Sequence, residues 1–256
     1  MKKNKVLLMG LIIFVIMFLA GVKAYAAPET LPVPKIDISI DGASSPKDYV
    51  DNIKLLMVLT VLSVLPSFLV MMTSFTRIIV VLGFTRNALG TQQSPPNQVL
   101  VGLALFLTIF IMYPTYNTIN SEAVKPFLEN KINQQQALER ASKPIRKFML
   151  KETREKDLEL FLDISKADKS KITKDNAPLK AVIPAFIISE LKTAFTIGFL
   201  IYVPFLIIDI VVASILMSMG MFMLPPVMIS LPFKILLFVM VDGWYLLTKS
   251  LVLGFS

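Results

Sequence analysis

Residues 197–226, IGFLIYVPFLIIDIVVASILMSMGMFMLPP, decide the class of fold, because this stretch carries a single charge, Asp209. An α-helix needs about 20 apolar residues to cross a bilayer, and this run is longer. Working outward, the apolar region extends from 181 to 248 with few charges. The chain is 55% hydrophobic and 17% charged, whereas soluble domains are about 45–50% apolar and about 25% charged. The sequence therefore predicts an all-α membrane protein.

We predict about four apolar helical spans, arranged as two hairpins. The first hairpin covers 53–116, with spans near 55–75 and 99–116 joined by a basic loop. The second hairpin covers 181–256, with spans near 182–208 and 210–247. A Met-rich break is expected in the second hairpin at Gly220 and Pro225–Pro226, because glycine and proline interrupt helices.

Charged residues are concentrated between the hairpins, where 121–180 holds 24 of the 44 Asp, Glu, Lys and Arg residues. We predict that 117–180 forms a small helical extracytoplasmic domain. Its basic residues do not oppose this location, because long segments translocate largely regardless of charge. Ser142 is the expected N-cap of a helix with Pro144 in its first turn. Glu152 is expected to pair with Lys156, four residues later.

The N-terminal residues 1–26 have the pattern of a cleavable signal peptide. A basic start and an apolar run precede Ala24-Tyr25-Ala26, in which Ala24 and Ala26 fit the cleavage pattern. The alternative interpretation is an uncleaved first span, since the apolar run approaches the length that crosses a bilayer. Residues 27–52 are rich in proline and glycine, which indicates an extended extracytoplasmic segment.

The first hairpin also indicates how the chain is oriented. Arg77 and Arg86 lie in the predicted loop, which holds no acidic residue. By the positive-inside rule this loop belongs in the cytoplasm. A cleaved signal peptide leaves the new N-terminus outside, which gives the same orientation.

The residue types exclude several chemistries. The chain has neither Cys nor His, so thiolate and imidazole catalysis and the corresponding metal sites are excluded. The net charge of +8 includes four lysines of the leader, and no basic stripe with interleaved aromatics suggests nucleic-acid binding. No P-loop is present. We therefore predict a protein that is not an enzyme, has no cofactor, contacts membrane lipid and does not bind nucleic acid.

Ionisable residues inside apolar spans are costly and mark a function or a partner. Glu190 and Lys192 are two residues apart, so they lie on different faces of a helix. Pairing with a neighbouring helix or another copy is one interpretation, and snorkelling to the interface is the other. Asp209 and Asp242 raise the possibility of an aspartyl protease, but Val-Asp-Gly-Trp lacks the Gly-x-Gly-Asp context of membrane-embedded enzymes. The other interpretation is a loop cap for Asp209 and an interfacial anchor for Asp242.

Methionines alternate at Met217, Met219, Met221 and Met223, just before the proline pair. Methionine is flexible and polarizable, so such a cluster could form a deformable apolar collar around a pore. The other interpretation is that these side chains fill a core.

Four stretches are more specific than hydrophobicity explains: Met71–Arg77 with the segment through Pro96, Phe148–Phe161, Ile183–Phe199 and Met217–Trp244. In this order they resemble the FliP family of the flagellar type III secretion export gate. The resemblance implies a pore-forming subunit that passes unfolded export substrates outward through the bacterial inner membrane at the flagellar basal body. It implies assembly with further copies of the chain as a pentamer, with FliQ and FliR, and with FlhB and FlhA.

The resemblance also assigns roles to residues. Met221, Phe222 and Met223 match a gasket that has three methionines in the family, so Phe222 is a departure. Glu190 and Lys192 match positions of inter-subunit ion pairs. The alternatives are the equivalent subunit of a virulence-type injectisome, whose members generally lack the leader, and a small-solute or ion channel.

Overall fold

The computed structural model describes residues 46–91, 93–165 and 177–255. Every regular element in this part of the chain is helical, which confirms the all-α prediction. The predicted signal peptide, with Ala24 and Ala26, lies outside the described residues, as does most of the predicted segment 27–52. The chain divides into two units, 1–55 and 56–256, and the described residues of the first unit form the start of a helix.

The described residues form nine α-helices and one π-helical turn. They are α1 (Pro46–Met71), α2 (Phe75–Leu89), α3 (Asn97–Ile119), the π-helical turn (Asn120–Val124), α4 (Lys125–Leu128), α5 (Gln134–Glu152), α6 (Glu155–Ile164), α7 (Leu179–Ser218), α8 (Pro226–Met240) and α9 (Gly243–Leu253).

The number of apolar helices agrees roughly with the predicted four spans. Within the described residues, Asn97–Leu128 and Leu179–Ser218 are long and apolar enough to cross a membrane. The pair α8 and α9, bent by 61°, makes a third if it is counted as one span. A shorter apolar helix covers Asn52–Phe68. With its 40 residues, α7 is about 60 Å long, about twice the thickness of a hydrocarbon core.

The boundary predicted between two spans at 208–210 is wrong, because α7 runs unbroken from Leu179 to Ser218. Asp209 does not end the helix, since the ammonium group of Lys234 on α8 donates a hydrogen bond to its carboxylate at 2.6 Å. A charge that is paired inside an apolar packing region does not have to reach a loop. The break predicted at Gly220 is present: this residue follows α7 with φ of 75°, a left-handed conformation that glycine adopts without steric cost.

The basic loop predicted in the first hairpin is mostly the helix α2. This helix buries Ile78, Val81 and Leu82 in a core shared with α3, α7 and α9, and that burial favours helix over loop. Gly90 caps its C-terminus in the left-handed conformation. The chain then turns through 91–96 and begins α3, so α2 and α3 form the closely packed hairpin.

The helices α2 and α7 pack closely where Phe84 faces Gly198. A Cβ atom at Gly198 would lie 2.6 Å from the Phe84 ring, so only glycine fits this position without a shift. Phe84 also makes an edge-to-face contact with Phe195, with ring centroids 5.0 Å apart. This contact fixes the distance between the two helices.

The predicted start of α5 at Ser142 is wrong. The helix begins after Asn133, whose side chain accepts a hydrogen bond from the backbone of Gln136, while the Gln136 side chain accepts one from the backbone of Asn133. Such a capping box satisfies two backbone donors that the helix leaves free. Pro144 consequently lies inside α5.

Candidate functional site

The turn between α7 and α8 presents the Met-rich segment to its surroundings. Met221 is 39% exposed, Phe222 77% and Met223 95%. The backbone reverses here because the amide of Gly220 bonds to the carbonyl of Met217 and its φ is positive. Pro225 and Pro226 then set the start of α8, since proline is favoured in the first turn of a helix. In this chain the three predicted gasket residues are therefore not core side chains.

Arg77 on α2 forms a buried ionic junction between distant parts of the chain. Its Nε donates to Glu190 Oε2 on α7 at 2.9 Å, and its Nη2 donates to the other Glu190 oxygen. The same Nη2 reaches Glu152 Oε2 on α5 at 2.7 Å. Glu190 is 0% exposed, so its charge depends on this guanidinium, whose planar fork suits carboxylate pairs. The three residues tie α2, α5 and α7 together.

Arg77 also holds the segment that follows α9. Its Nη1 donates to the Gly254 carbonyl at 3.2 Å, and its Cζ lies 3.9 Å from the centroid of the Phe255 ring. Lys151 Nζ donates to the Phe255 carbonyl at 3.0 Å. A guanidinium over an aromatic face is attracted by the ring quadrupole. Phe255 is buried in the same core as α2 and α3, so this segment closes the packing around the junction.

A second polar group, which includes Ser189 directly before Glu190 in the chain, joins α6 to α7. The Ser189 hydroxyl donates to Asp157 Oδ2 at 2.6 Å, and Arg154 Nη2 donates to the same oxygen at 2.6 Å. Burial disfavours the charge of Asp157, but the hydrogen bonds from Ser189 and Arg154, with the charges of Arg154 and Lys192, outweigh it and hold the pKa of this carboxyl below its usual value. The ionised form of Asp157 is thus the form that the fold stabilises.

The third polar group joins α7 to α8. Asp209 accepts from Lys234 Nζ at 2.6 Å and from the Ser230 hydroxyl. Lys234 is 2% exposed and lies at the C-terminal end of α2, where a Cβ at Gly90 would be 3.8 Å from its Nζ. A cation at a helix C-terminus is stabilised by the helix dipole. The buried charge of Lys234 is therefore stabilised both by the Asp209 carboxylate and by the C-terminal end of α2.

Two of the carboxylates singled out in the sequence, Glu190 and Asp209, have partners in the same chain. Glu190 pairs with Arg77 on a neighbouring helix of its own chain, which is one of the expected arrangements, and a contact of Glu190 with another copy stays a prediction. Glu190 and Lys192 lie on different faces of α7, as expected, since Glu190 is buried and Lys192 is exposed. Lys192 in an inter-subunit pair stays a prediction. Arg77 is 5% exposed, so it is not a solvated loop residue as expected.

Arg86, the other predicted loop cation, holds the turn that follows α2. Its Nη1 donates to Asn97 Oδ1 at 2.6 Å and to the Pro95 carbonyl at 3.4 Å. It therefore connects the end of α2 to the start of α3. The cytoplasmic location of this turn stays a prediction.

Asp209 and Asp242 do not form a carboxylate dyad in the described part of the chain. Asp209 lies within α7 and is neutralised by Lys234, so it is not the loop cap that was expected. Asp242 is exposed and precedes α9 in the left-handed conformation, with φ of 50°. An aspartyl protease needs two carboxyl groups that share a proton, and a carboxylate paired with an ammonium group does not supply that arrangement.

Sequence reasoning missed the roles of Asp157, Glu152 and Phe255. Glu152 was expected to pair with Lys156, but α5 ends at Glu152 and the chain turns before α6, which removes the i,i+4 geometry. The pair of Arg154 with Asp157, three residues apart at the start of α6, was open to detection from its spacing.

The chain is similar to proteins of one family along most of its length. The model of the FliP family matches residues 58–251. Flagellar biosynthetic protein FliP of Bacillus subtilis (strain 168) is 61% identical over 218 residues, which cover 85% of this chain and 98% of the relative. The protein of the same name from Aquifex aeolicus (strain VF5) is 51% identical over 225 residues, or 88% and 92% of the two chains.

A third relative, Flagellar biosynthetic protein FliP of Pectobacterium carotovorum subsp. carotovorum, is 53% identical over 204 residues, which cover 80% of this chain and 79% of the relative. The matched region contains every helix from α2 to α8, the Arg77 junction and the Met-rich turn. An identity above one half across this region accounts for the resemblance noted in the sequence. The chain belongs to the FliP family.

Proposed function

We propose that this chain is a non-enzymatic, pore-forming subunit of the flagellar type III protein export gate. Several copies, five in the arrangement that the family resemblance implies, surround a channel for unfolded export substrates. FliQ and FliR complete this complex, and FlhB and FlhA are its further partners. The complex lies in the inner membrane at the flagellar basal body. Support comes from family membership and from relatives named as flagellar biosynthetic proteins.

The exposed Met-rich turn carries this proposal. In a single chain Met223 is 95% exposed and Phe222 is 77% exposed, although both are large and apolar. Copies arranged around an axis would bring these turns together and remove the side chains from water. A ring of apolar side chains blocks ions by dewetting, while flexible methionines yield to a passing polypeptide. Phe222 contributes bulk to the ring and is stiffer than methionine.

The charge distribution supports a structural role over a catalytic one. Glu190 and Asp209 lie within the long apolar helix α7 and are each neutralised by a cation of the same chain. Groups that are compensated in this way hold helices together, whereas an acid catalyst or an ion-conducting site needs a carboxylate that can exchange partners. The flagellar names of the relatives favour the flagellar system over an injectisome.

The test is to replace Met221 and Met223 together with alanine in the chain expressed with FliQ and FliR. We expect the solubilised complex to keep its mass and the membrane conductance to small ions to rise, because the ring loses bulk but no partner. The matched control replaces Met57 on α1 and Met240 at the C-terminal end of α8, which are exposed and do not belong to the turn. Unchanged conductance in an assembled complex would overturn the gasket, and a wild-type chain that stays monomeric with FliQ and FliR present would overturn the channel.

A further inference from the structure

Basic residues dominate the surface of α5. Of the two acidic residues in this helix, Glu152 pairs with Arg77 inside the buried junction, and Glu139 is exposed. The helix carries five cations, which are Arg140, Lys143, Arg146, Lys147 and Lys151. A surface with such an excess of one sign of charge attracts ligands of the opposite sign. The outer face of α5 therefore favours an anion.

Two hollows adjoin on this face of α5, and Lys143 and Lys147 line both of them. The larger hollow, of about 460 Å³, lies between α5 and the C-terminal part of α3 and also includes Lys151. The smaller hollow, of about 280 Å³, adds Arg146 and Leu150. Side chains four residues apart on a helix are neighbours, with about 5–6 Å between their Cβ atoms. One phosphate group can therefore accept hydrogen bonds from Lys143 and Lys147 together.

The contacts that these lysines make within the chain leave their charge at the surface. Lys143 Nζ lies 3.4 Å from a carboxylate oxygen of Glu139, and both side chains are mostly exposed. Ion pairs between exposed side chains contribute little, so an anion can replace this one. Lys151 Nζ donates to the Phe255 carbonyl at 3.0 Å. An ammonium group has three donors, so Lys151 can donate to a ligand as well.

The lining of the larger hollow is polar as well as basic. Thr115 and Thr118 of α3 contribute hydroxyl groups, and the Thr118 hydroxyl donates to the Pro114 carbonyl at 3.0 Å. Glu122 of the π-helical turn adds one negative charge. Three lysines and one carboxylate leave the hollow positive overall. Ammonium and hydroxyl donors suit a ligand with several acceptor oxygens, and Glu122 should weaken its binding.

The exposed side chains of α3 indicate which anion reaches this hollow. The helix belongs to a segment that is long and apolar enough to cross a membrane. Phe106 and Phe110 are exposed along it, followed by Tyr113 and Tyr116. Exposed tyrosines are enriched where a span passes from hydrocarbon to headgroups. The hollow touches α3 from Ile111 to Thr118, at the level of these tyrosines. The lysines therefore lie at the depth of lipid phosphate groups.

We propose that Lys143 and Lys147 bind the phosphate group of an anionic membrane phospholipid. Lys151 and the threonine hydroxyls supply further donors, and the acyl chains follow the apolar surface of α3 into the membrane. Lysine binds phosphate as a point charge, and basic pockets beside membrane spans are typical sites for lipid headgroups. This inference goes beyond the proposed function, because it requires a membrane location but no channel.

Binding of defined lipids to the full chain in a neutral detergent tests the site. The ligands are phosphatidylglycerol, phosphatidylcholine and inorganic phosphate, and native mass spectrometry measures the fraction of chains that retain a lipid. We expect phosphatidylglycerol to be retained and phosphatidylcholine to bind about tenfold more weakly, because its headgroup has no net charge. An equal concentration of inorganic phosphate should not displace phosphatidylglycerol, since it has no acyl chain to hold it beside α3.

Substitutions in the hollow should change lipid binding in both directions. Lys143→Gln with Lys147→Gln should weaken phosphatidylglycerol binding about 30-fold, while arginine at both positions should preserve it. Glu122→Gln should strengthen binding about fivefold, because it removes a like charge. A purely structural role for the lysines would not produce that gain.

The matched control is Lys156→Gln with Lys180→Gln. These two lysines are exposed and line neither hollow, and their replacement removes the same charge. Binding of phosphatidylglycerol to this variant should stay close to that of the wild type.

Several outcomes would overturn the site. One is equal loss of phosphatidylglycerol in the Lys143 and Lys147 variant and in the control, and another is a Glu122→Gln chain that binds no more tightly than the wild type. Displacement by inorganic phosphate would identify a site for free phosphate instead of a lipid. If the Lys143 and Lys147 variant separated from FliQ and FliR in lipid-free detergent, the lysines would meet an acidic protein surface. A chain that retains the lipid but never oligomerises would overturn the channel and leave this site standing.

Discussion

Arg77 and Glu190 meet through two hydrogen bonds although 113 residues separate them in the chain. The pair joins α2 to α7 at a place where neither side chain has appreciable contact with solvent. Breaking a buried ion pair by removing one partner leaves an uncompensated charge, which costs about 3–5 kcal/mol. The pair is therefore a site where a single substitution should strongly affect the fold.

We expect Arg77→Ala to destabilise the chain by about 3–5 kcal/mol, because Glu190 and Glu152 would both lose their cation. Arg77→Lys should recover only part of this loss, since lysine lacks the planar fork. The thermal unfolding midpoint in detergent measures both effects. Arg86→Ala, on the same helix but at a half-buried position, is the control and should change the midpoint much less. Equal effects of Arg77→Ala and Arg86→Ala would contradict this account.

The pair of Asp209 and Lys234 should behave as a unit. Lys234→Met alone strands a carboxylate, and Asp209→Leu alone strands an ammonium group, so each should cost about 3–5 kcal/mol. The double variant should be closer to the wild type than either single variant, because apolar side chains of similar volume replace a buried pair with little loss. Ser230 keeps the Val227 carbonyl as an acceptor in every variant. A double-mutant cycle of unfolding midpoints checks this, and additive losses would refute the coupling.

Asp157 should make part of the stability depend on pH. Burial raises the pKa of Asp157 in the folded state, but the hydrogen bonds from Ser189 and Arg154 lower it by more, so the pKa is held below the usual value. A carboxyl with a depressed pKa contributes stability that is present above the unfolded pKa, about 3.9, and is lost as pH falls through the folded pKa. Unfolding measured from pH 6 downward should show a smaller loss below about pH 4 for Asp157→Asn than for the wild type.

Ser189→Ala provides the counterpart to that experiment. It removes the Ser189 hydrogen bond, so the pKa of Asp157 should rise towards its unfolded value, and the acid-induced loss linked to this carboxyl should be smaller than in the wild type. If the wild type, Asp157→Asn and Ser189→Ala all lost the same stability as the pH fell, Asp157 would not contribute to the acid-induced loss.

Gly198→Ala should disturb the contact between α2 and α7, because the new Cβ would lie 2.6 Å from the Phe84 ring. We expect a loss of about 1–3 kcal/mol, typical of overpacking, and a partial rescue by Phe84→Leu. Gly102→Ala on α3 has no atom within 4 Å of the new Cβ, so it should stabilise the helix by up to about 1 kcal/mol. Unfolding midpoints of the four proteins test this, and a destabilised Gly102→Ala would remove the control.

The features that sequence predicted well are those set by short stretches of chain. The break at Gly220 and Pro225–Pro226 follows from local backbone preferences, and the structure has its turn there. The apolar character of 197–218 is sufficient to predict the α-helix that the structure has there. The start of α5 was also open to detection, because Asn133 followed three residues later by Gln136 is a capping-box pattern. Ser142 also fits an N-cap, because Pro144 stands close behind it, and this second pattern predicts the wrong start.

The features that sequence reasoning missed depend on which helices become neighbours. The sequence predicts a loop at Arg77 because span boundaries and the positive-inside rule depend on position along the chain, and neither includes the partner that folding brings to the charge. Asp209 was expected at a span boundary for the same reason, since its compensation comes from Lys234, 25 residues later on another helix. A buried charge is tolerated once its partner is in place. A single sequence does not show which charged residues lie close together in the folded chain.

The length of α7 has a consequence for the chain before assembly. A helix of about 60 Å exceeds a bilayer core of about 30 Å, so a subunit without partners leaves apolar turns in the headgroup layer or in water unless it tilts steeply. Cells remove membrane polypeptides that expose such surface. We therefore expect the orphan subunit to be short-lived and its half-life to lengthen when its partners are co-produced, so that proteolysis matches the amount of this protein to the supply of the rest of the assembly.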